Sequence, residues 1–284
     1  MNSYKNHRLR ERIIDNSAFL ALILLTILVI FPIWWIIRSS LMNSAELYAW
    51  PPSLYPKKWL FSNYPATLQQ FNFWLYFRNT MTIIVPAVTF GTITATFCGY
   101  AFARLNFPGK RIIFSLSVGS MLLPHMVTLI PLFIMWTRFL RITDSYLPLI
   151  LPYLCGGGAF NIFLIRQFAR TIPKELDEAA FIDGAGYWTI LTRIIIPAIK
   201  PAMIVVALLL FIHMWNDLLQ QTIYIHSEPK FTIAIGLTQF KGSLTVHWEK
   251  LMAATCMSFF PGVVFYLIGQ KYFVEGIALT GMKN

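Results

Sequence analysis

Residues 18–37 read AFLALILLTILVIFPIWWII, a run that contains one hydroxyl group and no charge. An α-helix rises about 1.5 Å per residue, so about 20 apolar residues cross the hydrocarbon core of a bilayer. Arg8, Arg10 and Arg12 precede the run, as in a signal peptide. However, the run is longer than the apolar region of a signal peptide, and no small-x-small cleavage site follows it. It is therefore predicted to be a retained transmembrane helix.

Five further apolar runs follow along the chain, which has 284 residues, of which 57% are hydrophobic and only 12% are charged. A soluble domain carries about twice that charged fraction, so a water-soluble globule is excluded. The sequence predicts an all-α, polytopic membrane protein with six transmembrane helices, forming a single transmembrane domain, 1–284. The predicted spans lie near 18–37, 80–103, 112–136, 147–166, 201–224 and 251–272.

The net charge of +11 is best explained by basic residues that anchor loops on one side of the membrane. The distribution of Lys and Arg favours cytoplasmic N- and C-termini, with the long connection 167–200 on the same side. Membrane lipid is thus an expected partner. Nucleic acid is not, because no basic–aromatic motif is present. Cys98, Cys155 and Cys256 are scattered through apolar runs and form no disulfide or metal-binding pattern.

The connection 167–200 is the least membrane-like part of the chain between the first and last spans. Its pattern predicts a helix over 173–182, a turn at Asp183–Gly184, and a second amphipathic helix from Tyr187 that ends near Pro197. Glycine suits the turn because it tolerates a positive φ.

Two roles for this helical hairpin remain open from the residues alone. The small side chains of Ala179, Ala180 and Ala185 would let the groove of another protein approach the backbone closely. Alternatively, the hairpin lies on the lipid surface, although Glu178 and Asp183 would then face anionic headgroups.

Polar residues are costly inside membrane spans, and those in the fifth predicted span mark a candidate transport pathway. His213, Asp217 and either Gln220 or Gln221 recur at helical spacing and are predicted to share one face, which Asn216 flanks. Phe211 and Trp215 would supply aromatic surfaces for sugar rings. The alternative is that these residues tie the helix to its neighbours.

The stretch 178–197 resembles the EAA loop of ABC-importer permeases. Glu178, Ala179, Ala180, Gly184, Ile194, Ile196 and Pro197 stand at the motif spacing, with Ile196 in place of the usual Leu. The segments 165–177 and 215–217 resemble the carbohydrate-uptake, maltose-permease-like subfamily of binding-protein-dependent transport inner-membrane components. The resemblance covers the chain from about Phe31 to its end.

This resemblance implies a type I ABC importer permease, in which the hairpin is a cytoplasmic coupling helix seated in a groove of a separate ATPase. The implied coupling residues are Glu178, Ala179, Ala180, Asp183, Gly184 and Ala185. In that role Glu178 makes a polar contact with the groove, Ala179 and Ala180 allow close packing, and Gly184 makes the turn. ATP-driven closure of the ATPases would then move the helical bundle between two states.

The resemblance also implies the partners and the location. These are a second homologous permease subunit in a heterodimer, two copies of an ABC ATPase, an extracytoplasmic solute-binding protein, and a bacterial inner membrane. No cofactor is expected in this chain. ATP and Mg²⁺ are expected on the ATPase, because no G-x-x-x-x-G-K-[S/T] sequence occurs here.

The expected function is therefore transport rather than catalysis, by alternating access, for a sugar or sugar-like solute, with an oligosaccharide favoured. Two alternatives differ in class: a membrane-embedded enzyme acting on a lipid or glycan, and a secondary transporter that needs no ATPase. No convincing catalytic cluster supports the first alternative, and the second leaves the EAA-like loop without a purpose. The sequence does not name the solute.

Overall fold

The computed structural model describes residues 2–241 and 246–281, and the side chains of 15–124, 126–241 and 246–271. The predicted domain 1–284 also includes Met1, 242–245 and 282–284, which lie outside the described residues. In chain order, the helices are α1 (Asn2–Ser40), α2 (Ser44–Leu47), α3 (Asn63–Gln70), α4 (Phe73–Arg104), α5 (Lys110–Ser120), α6 (His125–Ile134), α7 (Leu147–Ile150), α8 (Ala159–Thr171), α9 (Glu175–Ile182), α10 (Tyr187–Ile190), α11 (Ile196–Trp215), α12 (Leu219–Tyr224), α13 (Ile233–Thr238) and α14 (Trp248–Gly281).

Four shorter helical segments of other types connect or extend these helices. Met135–Phe139 and Leu191–Ile195 are π-helical, and Leu151–Leu154 and Glu228–Lys230 are 3₁₀ turns. Across the described ranges, the pairing of Lys241 with Val246 is the one isolated β-bridge. The predicted all-α fold is confirmed.

Five helical segments of the described chain are long and apolar enough to cross a membrane. These are Asp15–Ser40, Phe73–Arg104, Leu147–Thr171, Tyr187–Trp215 and Trp248–Lys271, and a shorter apolar helix covers Met126–Phe139. They correspond in order to the six predicted spans, with different bounds.

Pro124, His125 and Pro131 predict an interruption of the third span, 112–136, and the break before His125 is confirmed: α5 ends at Ser120 and α6 begins at His125, whereas Pro131 lies inside α6. Pro124 has no N–H group and adopts an extended conformation, with φ −59° and ψ 132°. The intervening turns tighten instead, and the N–H of Leu123 donates to the carbonyl of Ser120 at 3.2 Å. A bilayer crossing here would therefore be made by two short helices.

The fifth predicted span, 201–224, is also shifted. The helix runs from Tyr187 to Trp215, so 187–200 belongs to it rather than to the connection 167–200. The predicted helix end at Pro197 is wrong because the π-helical segment widens the backbone just before this proline. The N–H of Ile196 donates to the carbonyl of Leu191, five residues back, and this wider turn makes room for the ring of Pro197.

The chain divides into two compact units, Met1–Phe71 with Gln239–Phe259, and Asn72–Thr238 with Phe260–Asn284. In the first unit, α1 exposes most of its apolar side chains up to Ile33. The end of α1 is tied to the following segment by the Asn63 side chain, which donates to the carbonyls of Ser40 (2.9 Å) and Met42 (2.8 Å).

The second unit is built around α4, which packs closely against α8. A Cβ added to Gly99 would lie 2.5 Å from Cγ2 of Ile165, and Ala95 is fully buried. Small residues allow two membrane helices to approach until their backbones nearly touch. The Tyr187–Trp215 helix completes this core through Ile199 and Val206, which are both buried. The core therefore positions α4, α8 and the 187–215 helix as one framework.

Candidate functional site

The turn predicted at Asp183–Gly184 joins α9 to the helix that starts at Tyr187, and we call this arrangement the Gly184 hairpin. Gly184 has φ +81°. Its N–H donates to the carbonyl of Phe181 at 3.0 Å, and the N–H of Ala185 donates to the carbonyl of Ala180 at 2.9 Å. These two bonds define a Schellman motif, in which a left-handed residue ends a helix. The predicted positive φ at Gly184 is confirmed.

The Schellman motif explains the spacing of small residues in the hairpin. Ala180 and Ala185 are partly buried and pack against the core that contains Ile190, so these two alanines seat the hairpin on the bundle. Glu178, Ala179 and Asp183 are exposed. The predicted coupling residues therefore separate into an inward-facing pair and an outward-facing set.

The exposed tip of the hairpin also carries large apolar side chains that the sequence reasoning missed. Ile182 is 87% exposed. The rings of Phe181 and Tyr187 meet edge to face at 5.1 Å, and both side chains remain exposed. Phe181, the neighbour of Ile182, is 43% exposed, so neither side chain is buried by the described chain. The tip is an unpartnered apolar surface rimmed by carboxylates.

An ion pair ties the base of the hairpin to α4. Nε of Arg104 lies 3.0 Å from Oδ2 of Asp177, and the two side chains are only 5% and 13% exposed. Nη2 of Arg104 also donates to the carbonyl of Ile172 at 2.7 Å. Sequence reasoning missed this pair, since its members lie 73 positions apart in the chain.

The fourth predicted span, 147–166, extends to Thr171 and is interrupted in its middle. Gly156, Gly157 and Gly158 have φ values of +92°, +61° and +107°. The N–H of Gly156 donates to Oγ1 of Thr94 on α4 at 2.8 Å. A broken helix is tolerated at membrane depth where it is buried in protein or lines a wet cavity.

A polar cluster lies beside this break. The hydroxyl of Tyr153 is 3.1 Å from Nε2 of His213. It also hydrogen bonds to the side chain of Gln220 and lies in the electrostatic field of Asp217. Three of the predicted pathway residues are therefore brought together by Tyr153, a residue that sequence reasoning did not select.

The way in which these residues meet differs from the prediction. The helix ends at Trp215, so His213, Asp217 and Gln220 do not form a stripe along one continuous helical face. Asn216 donates its side-chain N–H to the carbonyl of Ile212 at 2.8 Å, in competition with the helix. Oδ1 of Asp217 then accepts the N–H of Gln220 at 3.1 Å and starts α12.

The two aromatic residues predicted for the pathway lie in different surroundings. Phe211 is buried in a core and contacts the rings of Trp215 (5.4 Å) and Phe265 (4.3 Å). Trp215 is partly exposed, as are Asp217 and Gln220, whereas His213 and Asn216 are exposed. Phe211 therefore supports Trp215 by stacking rather than by facing an open space.

The described chain combines apolar helices of membrane-crossing length, a crossing broken by glycines beside a polar cluster, and a helical hairpin with an exposed apolar tip. These features define a polytopic membrane transport subunit. Residues 87–278 match the family described as "Binding-protein-dependent transport system inner membrane component". The match covers more than half of the chain, and the chain belongs to this family.

The relatives agree with this assignment. The chain is 31% identical to the probable ABC transporter permease protein YurM of Bacillus subtilis (strain 168), over 95% of this chain and 89% of that protein. It is 29% identical to the diacetylchitobiose uptake system permease protein NgcG of Streptomyces coelicolor, over 88% and 83%. A solved bacterial ABC transporter involved in the import of the acidic polysaccharide alginate matches with a TM-score of 0.79 at 26% identity, over 92% of this chain and 97% of that one.

Family membership confirms the predicted class of protein. The chain is a multi-pass component of the inner membrane and a transport subunit rather than an enzyme, with ATP hydrolysis assigned to a separate subunit.

Proposed function

We propose that this chain forms part of the translocation pathway of an ATP-driven importer for a sugar-like solute, with an oligosaccharide favoured. Two similar proteins are named for saccharides of two or more units, diacetylchitobiose and alginate. The proposal that transport is driven by ATP rests on one observation. The exposed apolar tip of the Gly184 hairpin has no partner within the described chain.

The hairpin is proposed to couple ATP hydrolysis to transport. Glu178, Ala179 and Asp183 face outward and are available to the groove of an ATPase. Gly184 sets the turn, and Ala180 and Ala185 hold the hairpin against the bundle. Because the second arm continues into the 187–215 helix, a movement of the tip is transmitted directly to a membrane span.

The pathway is proposed to run beside the glycine break and the polar cluster. Tyr153, His213, Asp217 and Gln220 offer hydrogen-bond donors and acceptors suited to sugar hydroxyls. Trp215 offers an aromatic face that Phe211 supports. Exposed polar groups in a membrane span favour a wet cavity or a partner over lipid.

The proposed assembly has this chain acting as one permease domain, 1–284, with both termini in the cytoplasm. A second, homologous but non-identical permease pairs with it, and two ATPase copies bind ATP and Mg²⁺. A solute-binding protein delivers the sugar from the outer side. Alignment with YurM over 95% of the chain supports treating the whole length as one functional domain.

Reconstitution tests the proposal. The chain is purified with its co-expressed permease, ATPase and binding protein, placed in proteoliposomes, and supplied with a panel of labelled mono-, di- and oligosaccharides. We expect uptake that requires ATP and the binding protein, and no ATP hydrolysis by the isolated chain. Uptake without the ATPase would indicate a secondary transporter, and conversion of a lipid or glycan would indicate an enzyme.

Replacing Tyr153 with Phe tests the pathway assignment. Loss of the hydroxyl that contacts His213 should raise the KM for uptake by about 5- to 10-fold, the effect expected for one lost hydrogen bond. ATP turnover should fall less than uptake. Tyr146→Phe is the matched control, because its hydroxyl donates to the carbonyl of Lys230 at 3.0 Å outside the cluster. Equal loss of uptake and ATP turnover in Tyr153→Phe would indicate a structural role instead.

A further inference from the structure

A cluster of basic side chains lies near the base of the Gly184 hairpin, between the start of α5 and the end of α8. Nζ of Lys110 donates to the carbonyl of Leu105 at 2.6 Å. The guanidinium of Arg166 lies 4.0 Å from the ring centroid of Phe114, and its Nε donates to the carbonyl of Phe102 at 3.3 Å. The cations of the cluster are Lys110, Arg111, Arg166, Arg170 and Lys174.

Within the described residues, no salt bridge joins a carboxylate to any of these five cations. Burial lowers the pKa of Lys110, and repulsion from Arg166, Lys174 and Arg170 lowers it further. No carboxylate in the described chain raises the pKa of Lys110. Asp177, an acidic residue in the same region, is already engaged by Arg104. The cluster therefore attracts an anion from outside the chain.

A cavity opens beside the cluster and is large enough to hold a polar headgroup. Its volume is about 470 Å³, and its lining residues are Asn106, Phe107, Gly109, Lys110, Arg111 and Ile112. A series of ring contacts links the cavity to Arg166. Phe107 contacts Phe102 at 5.8 Å, and Phe102 contacts Phe114, the ring beneath that guanidinium, at 5.4 Å.

An exposed apolar surface begins at Ile112, which lines the cavity, and follows α5. Ile112, Ile113 and Leu116 are 68%, 50% and 70% exposed, on the first turns of the helix that begins at Lys110. A ligand that satisfies both surfaces has an anionic head and hydrocarbon chains. This combination favours a phospholipid over a free phosphate ion, which would leave the apolar surface uncovered.

We propose that the cavity at 106–112 binds the headgroup of an anionic phospholipid, whose acyl chains lie along the exposed face of α5. Basic pockets at the end of membrane helices recognise anionic headgroups through such charge complementarity. Lys110 and Arg111 contact the phosphate, and Arg166, Arg170 and Lys174 supply the surrounding positive field. The bound lipid relieves the repulsion among the cations at the base of the hairpin, and this role does not depend on which solute is carried.

Native mass spectrometry of the detergent-solubilised full chain tests this site. The probes are palmitoyl-oleoyl phosphatidylglycerol, phosphatidylcholine with the same chains, and inorganic phosphate. We expect phosphatidylglycerol to bind in preference to phosphatidylcholine. Lys110→Gln/Arg111→Gln should weaken phosphatidylglycerol binding by about 25-fold, or about 5-fold for each charge removed. Lys110→Arg/Arg111→Lys retains both charges and should retain binding.

The control variant is Arg193→Gln/Lys200→Gln, which removes two exposed cations that do not line the cavity. This variant should bind phosphatidylglycerol as the unmodified chain does. Three results would overturn the proposal: equal binding of phosphatidylcholine, equal weakening in the control variant, or displacement of the lipid by millimolar inorganic phosphate. Retained binding in the Lys110→Gln/Arg111→Gln variant would also overturn it.

Discussion

At the scale of single residues, the backbone conformation of Gly184 sets the geometry of the hairpin. Its left-handed φ lets α9 end in two hydrogen bonds, from Gly184 and Ala185, and turns the chain back toward the bundle. A Cβ at Gly184 would meet no atom within 4 Å. The requirement for glycine is therefore conformational, because the left-handed region is higher in free energy for L-residues that have a side chain.

Gly184→Val should abolish or strongly reduce uptake while leaving membrane insertion unchanged. A β-branched residue at φ +81° costs about 1–2 kcal/mol or more, which unravels the turn. Gly186→Val is the matched control, because Gly186 has φ −83° and ψ 168°, an extended conformation that valine favours. Uptake should also survive Gly184→Asn, since asparagine tolerates this region. Normal uptake with Gly184→Val would refute the coupling role of the turn.

Asp144 is a second residue whose surroundings are strongly specified. Its carboxylate accepts hydrogen bonds from the Lys230 ammonium (2.8 Å), the Ser227 hydroxyl (2.6 Å) and the backbone N–H of His226 (2.8 Å). The bonds to Lys230 and Ser227, followed by the one to His226, hold the pKa of Asp144 well below its usual range. These contacts fasten the segment before α7 to the segment after α12.

This lowered pKa predicts a pH-dependent stability. Because the folded-state pKa lies below the unfolded value of about 3.9, the stabilisation is fully present above that value and is lost as the pH falls toward the folded pKa. Asp144→Asn should lower the Tm at pH 7 by a few degrees, equivalent to about 1 kcal/mol. The difference from the unmodified chain should narrow below about pH 4. Thermal unfolding followed by tryptophan fluorescence measures the Tm of both chains at each pH. Asp183→Asn, at an exposed carboxylate, is the control. A Tm difference that stays constant from pH 7 to pH 3 would contradict the proposed role of the Asp144 carboxylate.

At the scale of secondary-structure elements, the hairpin is joined to the bundle in two ways. Its second arm is the beginning of the 187–215 helix, which passes through a π-helical segment instead of stopping at Pro197. Its first arm is pinned to α4 by Arg104 and Asp177. A force applied at the tip therefore reaches two different membrane helices.

The Arg104–Asp177 pair is testable by a double-mutant cycle. Removing one partner leaves a nearly buried charge uncompensated, so Arg104→Met and Asp177→Asn should each destabilise the chain by about 3 kcal/mol. The double variant should cost less than the sum of the two single variants. Thermal unfolding and the ratio of uptake to ATP turnover provide the readouts, and both single variants should lower the ratio. Additive effects, or an unchanged ratio, would show that the pair does not link the elements. Arg193→Met, at an exposed cation, is the control.

At the scale of the whole molecule, the number of membrane crossings determines whether the two termini lie on the same side of the membrane. Five long helices and the broken segment of α5 and α6 would make six crossings. An even number places both termini on one side. With six crossings, we expect the Gly184 hairpin on that same side, which we propose is the side of the ATPase.

This topology is testable with reporter fusions. Green fluorescent protein fused to either terminus should fluoresce, whereas alkaline phosphatase at the same positions should be inactive. Alkaline phosphatase inserted near Glu228, in a segment predicted to face outward, should be active. Opposite results at the two termini would mean an odd number of crossings. The segment of α5 and α6 would then be the one that does not cross the membrane.

Much of the fold could be predicted because membrane insertion depends on local hydropathy. Each span is a separate apolar run, and the hairpin is predicted from proline, glycine and small residues at short spacing. The bounds were less predictable: Pro197 normally ends a helix, yet the π-helical turn before it lets the helix continue to Trp215. The break at Pro124, by contrast, could be predicted, because proline interrupts a helix even where the hydropathy is continuous.

By itself, the sequence determined that this protein spans the membrane, that it carries an EAA-like hairpin, and that it resembles importer permeases. These conclusions follow from hydropathy, turn chemistry and motif spacing, all of which act over short distances along the chain. Only the tertiary structure decided that Tyr153 meets His213 and Gln220, and that Arg104 meets Asp177. These partners lie 60 to 73 positions apart, and close packing of α4, α8 and the 187–215 helix is what brings them together.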